Sequence, residues 1–171
     1  KATCCRTGKH EMEEFCTEHS IAWEKCGKVV VATSEAELPR LDNISERASL
    51  NGVQCERINS DQLRELEPAA AGISALHVPE TGIVNYREVC EKMAELLVAG
   101  GATLELDFEL VGIQDTGSGL ELQGKAGQNI RAGKMINCGG LQSDRICKLA
   151  GINTALKVVP FRGEYYELAP R

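Results

Sequence analysis

The run Met135-Ile136-Asn137-Cys138-Gly139-Gly140-Leu141-Gln142-Ser143-Asp144 constrains this chain more than any other stretch. An apolar, strand-like segment runs into two glycines, and a helix opens directly after them. Glycine lets a backbone approach a neighbour or ligand closely, because no Cβ stands in the way. The first amides of a helix lack intrahelical partners and lie at the positive end of its dipole. Such a turn suits an anion, and a dinucleotide pyrophosphate is a natural guest. The same turn also occurs as a plain strand-to-helix connection. It is not the G-x-G-x-x-G fingerprint, which is found nowhere in the chain, and it lacks the Gly-Lys-Ser/Thr of a P-loop.

The rest of the sequence alternates helical and strand patterns around this turn. Met12, Phe15, Cys16 and His19 recur at helical spacing and predict a helix over 2–19. Cys26–Ala32 is short and β-branched, a buried strand. Ser34-Glu35-Ala36-Glu37 has the form of a capping box. Pro39 sits deep enough in the helix that follows to make its first turn short or irregular, and Asn51-Gly52 ends that helix. Val53–Ile58 reads as a strand, Ser60 as the cap of a short helix that Pro68 terminates, and Ser74–Val78 as a strand. Asn85 caps the clearest amphipathic helix, with Tyr86, Val89, Met93, Leu96 and Leu97 on its apolar side and Gly100-Gly101 as its stop. Strands are expected over Thr103–Ile113 and Leu120–Gln123, with a turn at 116–119, then at Ile130-Arg131 and Lys134–Cys138. A helix over 143–150 and a strand over Lys157–Leu168 complete the chain. This alternation predicts an α/β (mixed α+β) fold. With few linker-like stretches, the one seam expected is near Pro79-Glu80-Thr81-Gly82.

Charge and cysteine usage exclude several function classes. The net charge is −6, without a basic stripe, so nucleic acid is not an expected partner. The eight cysteines contain no C-x-x-C pair, and the three histidines are scattered, so no metal site is expected. The cysteines read as reduced, buried small hydrophobes of a cytosolic-type protein. His77 and Tyr86 read as structural residues, Tyr86 as part of a helix core face. Lys1 is not a methionine and the chain stops just after a strand-like run, so an internal fragment is expected.

Four segments, in order, resemble the D-amino-acid-oxidase/glycine-oxidase superfamily of flavoenzymes, and within it the L-2-hydroxyglutarate dehydrogenase/oxidase family. They are Cys26-Gly27-Lys28-Val29-Val30-Val31-Ala32-Thr33, Pro79-Glu80-Thr81-Gly82-Ile83-Val84-Asn85-Tyr86-Arg87, Asn137-Cys138-Gly139-Gly140-Leu141-Gln142-Ser143-Asp144-Arg145, and Val159-Pro160-Phe161-Arg162-Gly163-Glu164-Tyr165-Tyr166-Glu167-Leu168. The resemblance implies a fragment of a two-domain FAD-dependent oxidoreductase. Residues 1–81 would belong to the substrate domain, 82–151 to the FAD-binding domain, and 152–171 to a second substrate-domain segment. The first βαβ unit with its glycine fingerprint would lie upstream.

The resemblance also implies site residues. Cys138, Gly139, Gly140 and Leu141 would neighbour the FAD, and the backbone of Leu110 would cradle its adenine. Read without the resemblance, Leu110 is plain sheet core. The family usually carries Ala or Thr where Gly139 stands. Arg162 and Tyr165 would meet a dicarboxylate, since arginine binds carboxylates bidentately and tyrosine donates a hydrogen bond. The reaction implied is oxidation of an L-2-hydroxy acid, L-2-hydroxyglutarate first, to its 2-oxo acid, with oxygen or a quinone as final electron acceptor. Rival readings are a sister activity on amino acids or glycerol 3-phosphate, and a catalytically silent module for these residues alone. The latter predicts no stoichiometric FAD on the isolated chain, and self-association through faces meant to be buried. The expected location is cytoplasmic, with peripheral contact to an inner membrane.

Overall fold

The structure, a computed structural model, describes residues 2–166. In chain order its elements are α1 (Ala2–Glu18), β1 (Trp23–Glu24), β2 (Lys28–Ala32), α2 (Leu38–Leu50), β3 (Glu56–Asn59), α3 (Ser60–Leu66), β4 (Ser74–Val78), β5 (Ile83–Val84), α4 (Tyr86–Ala99), β6 (Leu110–Asp115), β7 (Leu120–Gly124), β8 (Asn129–Ala132) and α5 (Ser143–Leu149). Two compact units divide between Thr103 and Leu104, downstream of the seam expected at residues 79–82. The mixed α/β character read from the sequence is the one observed.

In the first unit, β2, β4 and β3 form an antiparallel sheet in that order. Alternation along the strands sends successive side chains to opposite faces. One face carries Val30, Ala32 and Leu76 and packs against Leu38 and Leu41 of α2. The other carries Val29, Val31, Ile58 and Ala75 and packs against Leu63 of α3. Leu63 and Leu76 are fully buried, and each such side chain contributes about 1.5–3 kcal/mol of transfer free energy. A separate cluster joins Cys16 of α1, Ile21 and Val89 of α4, with Met12, Phe15 and Val84 around it. The two-stranded β1–β5 ribbon pairs Trp23 with Val84 and Glu24 with Ile83.

The cap of α3 differs from expectation by a single position, and the capping box expected at Ser34 does not form. Asn59, not Ser60, caps α3: its side chain accepts from the amides of Asp61 and Gln62, and Gln62 answers the Asn59 amide at 3.0 Å. Ser34 makes no capping bond, and a 3-10 turn over Glu35–Glu37 precedes α2. The Glu37 carboxylate instead accepts from the Thr33 amide at 2.8 Å and its hydroxyl at 2.9 Å. Those bonds hold its carboxyl below the usual glutamate range. Pro39 falls in the first turn of α2, where its missing N–H costs no intrahelical bond.

The second unit contains the β6–β7–β8 meander and α5, which packs against β6. The expected hairpin turn is present: Thr116 donates to the Gly119 carbonyl at 2.9 Å, and Gly117 takes a positive φ of 79°. Two expected strands do not form. Lys134–Cys138 pairs with no strand among the described residues, and Ile136 is 88% exposed. Residues 157–166 are likewise unpaired, and Phe161, Tyr165 and Tyr166 are exposed. The end of that expected strand, residues 167–168, lies outside the described residues. A strand exists only where a neighbour completes its ladder, and an apolar pattern does not supply one.

The cysteines depart from the expected burial. All eight are unbridged, but only Cys16 is buried, and Cys4, Cys5, Cys26, Cys90 and Cys138 are exposed. Among the described residues no helix is long and apolar enough to cross a membrane.

Candidate functional site

The turn at residues 137–143 is built around the side chain of Asn137. Its Oδ1 accepts the Gly139 amide at 3.0 Å, and its Nδ2 donates to the Ser143 carbonyl at 2.9 Å. A short 3-10 turn over Gly140–Gln142 leads into α5, with the Gln142 amide donating to the Gly139 carbonyl at 2.9 Å. Among the described residues, the amides of Gly140 and Leu141 make no hydrogen bond.

The two glycines have different environments. A Cβ on Gly139 would stand 2.4 Å from Ile146 Cδ1 and 3.2 Å from Asn137 Oδ1, so this glycine faces the protein and permits α5 to pack closely. Gly140 has a positive φ of 53°, and a Cβ there would meet nothing within 4 Å. It leaves an open cradle at a backbone conformation that other residues adopt only at a cost. Cys138 is exposed and Leu141 is 58% exposed. Two unpaired amides beside an open, left-handed glycine are a fitting seat for a phosphate bridge.

Leu110 lies in the same compact unit as this turn. It opens β6 opposite Gly124, where a bulge precedes Gly112. Its neighbour Glu109 ties the β6–β7 edge twice: its carbonyl accepts the Lys125 amide at 2.9 Å, and its carboxylate meets Lys125 Nζ at 2.8 Å. Leu110 is half-buried, and its pairing with Gly124 ties its backbone into the ladder.

Arg162 and Tyr165 are not brought to the turn by any contact among the described residues. Arg162 pairs with Glu164 at 3.7 Å, and Tyr165 is 97% exposed. The segment does return toward α5, where the Val158 amide donates to Asp144 at 3.4 Å.

The other residues weighed for chemistry, His77 and Tyr86, lie in the first unit. His77 lies in β4, paired with Val29 and Glu56, with Nε2 3.3 Å from where a Gly27 Cβ would stand. Tyr86, expected in the core, is 67% exposed, and Val89 is the buried residue of α4. Tyr86 lines a cavity of about 330 Å³ with Cys5, Gly8, Met12, Trp23 and Ile83. At its edge Lys9 bridges Glu13 at 3.1 Å, which, chiefly through that bond, lowers the Glu13 carboxyl below its ordinary range.

The residue that sequence reasoning missed is Asn137. Its signal was available: Asn two positions before a glycine commonly accepts the amide at i+2.

Comparison with known proteins bears on this geometry. The family model DAO, described as FAD dependent oxidoreductase, matches residues 1–171. The chain is similar to L-2-hydroxyglutarate dehydrogenase of Escherichia coli O17:K52:H18 (strain UMN026 / ExPEC), 38% identical over 170 residues, covering 99% of this chain and 40% of that protein. It is also similar to the mitochondrial L-2-hydroxyglutarate dehydrogenase of Mus musculus, 35% identical, covering 99% of this chain and 39% of that protein. The chain thus spans about 40% of the length of the curated relatives it matches. Among solved structures, L-proline dehydrogenase from P. horikoshii aligns with a TM-score of 0.75 at 19% identity, covering 87% of this chain and 41% of that one. Glycine oxidase from Geobacillus kaustophilus aligns at 0.71 with 21% identity, covering 88% and 40%. At those identities the solved structures speak for the fold alone.

Proposed function

Starting from the fact that this chain belongs to the DAO family of FAD dependent oxidoreductases, we propose that the longer protein it is part of oxidises an L-2-hydroxy acid, L-2-hydroxyglutarate in particular, to the corresponding 2-oxo acid. The observation that carries this reading is the identity of 35–38% to L-2-hydroxyglutarate dehydrogenases, sustained over 99% of the chain. FAD, when bound, supplies the two-electron acceptor for the hydride leaving C2. The final electron acceptor would be oxygen or a quinone.

In this proposal the chain contributes part of the cofactor seat. Gly140 and Leu141 offer unpaired amides to the pyrophosphate, Cys138 and Gly139 shape the approach, and the backbone at Leu110 borders the adenine. Arg162 and Tyr165 are assigned to the substrate's carboxylates. Their exposure fits a surface completed by chain outside these residues. Residues 1–81 and 152–171 go with the substrate domain, and residues 82–151 with the FAD-binding domain. The isolated 171 residues would hold no stoichiometric FAD and would associate through their exposed apolar faces. The proposed location is cytoplasmic, peripheral to the inner membrane.

The test is anaerobic titration of the purified longer protein. L-2-Hydroxyglutarate should bleach its flavin absorbance, while L-proline, glycine and glycerol 3-phosphate leave it oxidised. Bleaching by one of those three and not by L-2-hydroxyglutarate would replace this reading with a sister activity.

A further inference from the structure

The geometry points to Asn137 as the positioning residue of the flavin turn: we infer that its side chain fixes the Gly139–Leu141 backbone in the cofactor-ready shape before FAD arrives. This rests on reading residues 138–141 as the pyrophosphate seat.

Two observations carry it. First, among the described residues Asn137 is the one side chain that bonds both ends of the turn, accepting from Gly139 and donating to Ser143. Those two bonds span the backbone that must present the Gly140 and Leu141 amides. Second, the same side chain satisfies the turn from the protein side only. Gly139 is held against Ile146, while the space at Gly140 stays open.

An unclamped Gly-Gly pair samples many backbone states, and FAD would have to select the competent one. A clamp built from one amide side chain removes that cost without occupying the ligand's space. Asparagine suits the position because it offers an acceptor and a donor on one planar group. Aspartate supplies both only when protonated, and serine keeps a short acceptor for Gly139 but cannot span to Ser143.

The experiment uses the longer protein, stripped of flavin, in wild-type, Asn137→Ala, Asn137→Ser and Asn137→Asp forms. Two quantities are measured: hydrogen exchange at the Gly139 amide in the apoprotein, and the FAD dissociation constant. Asn137→Ala should speed exchange at Gly139 and raise the FAD Kd, each by about tenfold, the size expected for one or two lost hydrogen bonds. Should that variant fail to fold, Asn137→Ser decides, with a smaller rise of about threefold in Kd. Asn137→Asp should bind FAD weakly at pH 8 and improve, relative to wild type at each pH, as the solution is acidified and its carboxyl gains a proton. A merely structural residue would not produce that profile. Wild-type protein that takes up no FAD would sink the flavin-turn reading and this inference with it. Wild-type protein that binds FAD, beside an Asn137→Ala form that exchanges or binds equally well, would overturn the inference alone.

Discussion

Replacing Gly139 by alanine tests how α5 is packed on the turn. The backbone there has φ −70° and ψ 12°, which alanine adopts freely. Fewer unfolded conformations then favour the variant by about 0.4–1 kcal/mol. Against this, the new Cβ would stand 2.4 Å from Ile146 Cδ1, where ordinary contact begins at 3.4 Å, so the methyl must retreat by 1.0 Å. That atom is the end of a flexible side chain, and an off-rotamer χ2 costs about 0.5–1.5 kcal/mol. The net effect in the wild-type background therefore lies between about 0.5 kcal/mol of stabilisation and about 1 kcal/mol of destabilisation. Ile146→Val deletes Cδ1 and keeps Cγ1, which would lie 3.7 Å from the new Cβ. In that background the tight contact left is Asn137 Oδ1 at 3.2 Å, so Gly139→Ala should range from near neutral to stabilising by about 1 kcal/mol, with a coupling energy near 1 kcal/mol. Opening free energies from native-state hydrogen exchange at the Ala150 and Ile152 amides, which close α5, provide the four corners of the cycle. A cost above about 2 kcal/mol in both backgrounds would mean that backbone, not the Ile146 methyl, blocks the site, and would refute the reasoning.

Other consequences concern the first unit. Leu63 is fully buried between Ile58 and Ala75, so Leu63→Ala should cost about 2–5 kcal/mol, read from chemical denaturation followed on Trp23; a loss under about 1 kcal/mol would contradict the assigned core. Asn59→Ala removes the cap and should cost about 0.5–2 kcal/mol with fraying of α3 amides, whereas Ser60→Ala should be near neutral; the reverse order would restore Ser60 as the cap. Glu37 has a lowered pKa from its bonds to Thr33. Its contribution is thus present above the ordinary glutamate value and lost as pH falls through the lower folded value. Carboxyl-detected NMR should show that midpoint below a free glutamate's, with the Thr33 amide moving in step; a midpoint at or above the ordinary value contradicts the contact.

Elements whose signals are local were legible in the sequence. Asn85 does cap α4, accepting the Arg87 amide at 3.1 Å, and Gly100 follows its last residue. The 116–119 hairpin turn was legible for the same reason. Non-local features were not. Residues 134–138 carry a strand's composition, but pairing depends on a partner elsewhere in the chain. Asn59 and Ser60 are both good caps, and only the backbone entering α3 chooses between them. Exposed cysteines such as Cys5 and Cys90 sit on helix faces whose covering is likewise non-local.

The candidate site divides along the same line. Paired glycines before a helix flag the turn from sequence alone, and the resemblance names residues 138–141, yet which glycine faces the protein required the position of Ile146. Leu110 is indistinguishable from sheet core by pattern and entered only through family resemblance. Arg162 and Tyr165 carry suggestive chemistry, but no local rule says what they face.

The decisive measurement is a structure of the flavin-loaded longer protein. Pyrophosphate oxygens should lie about 2.7–3.2 Å from the Gly140 and Leu141 amides, with Asn137 still bridging Gly139 and Ser143 beneath them. A pyrophosphate seated elsewhere, with those two amides turned to solvent or bonded within the protein, would contradict that placement.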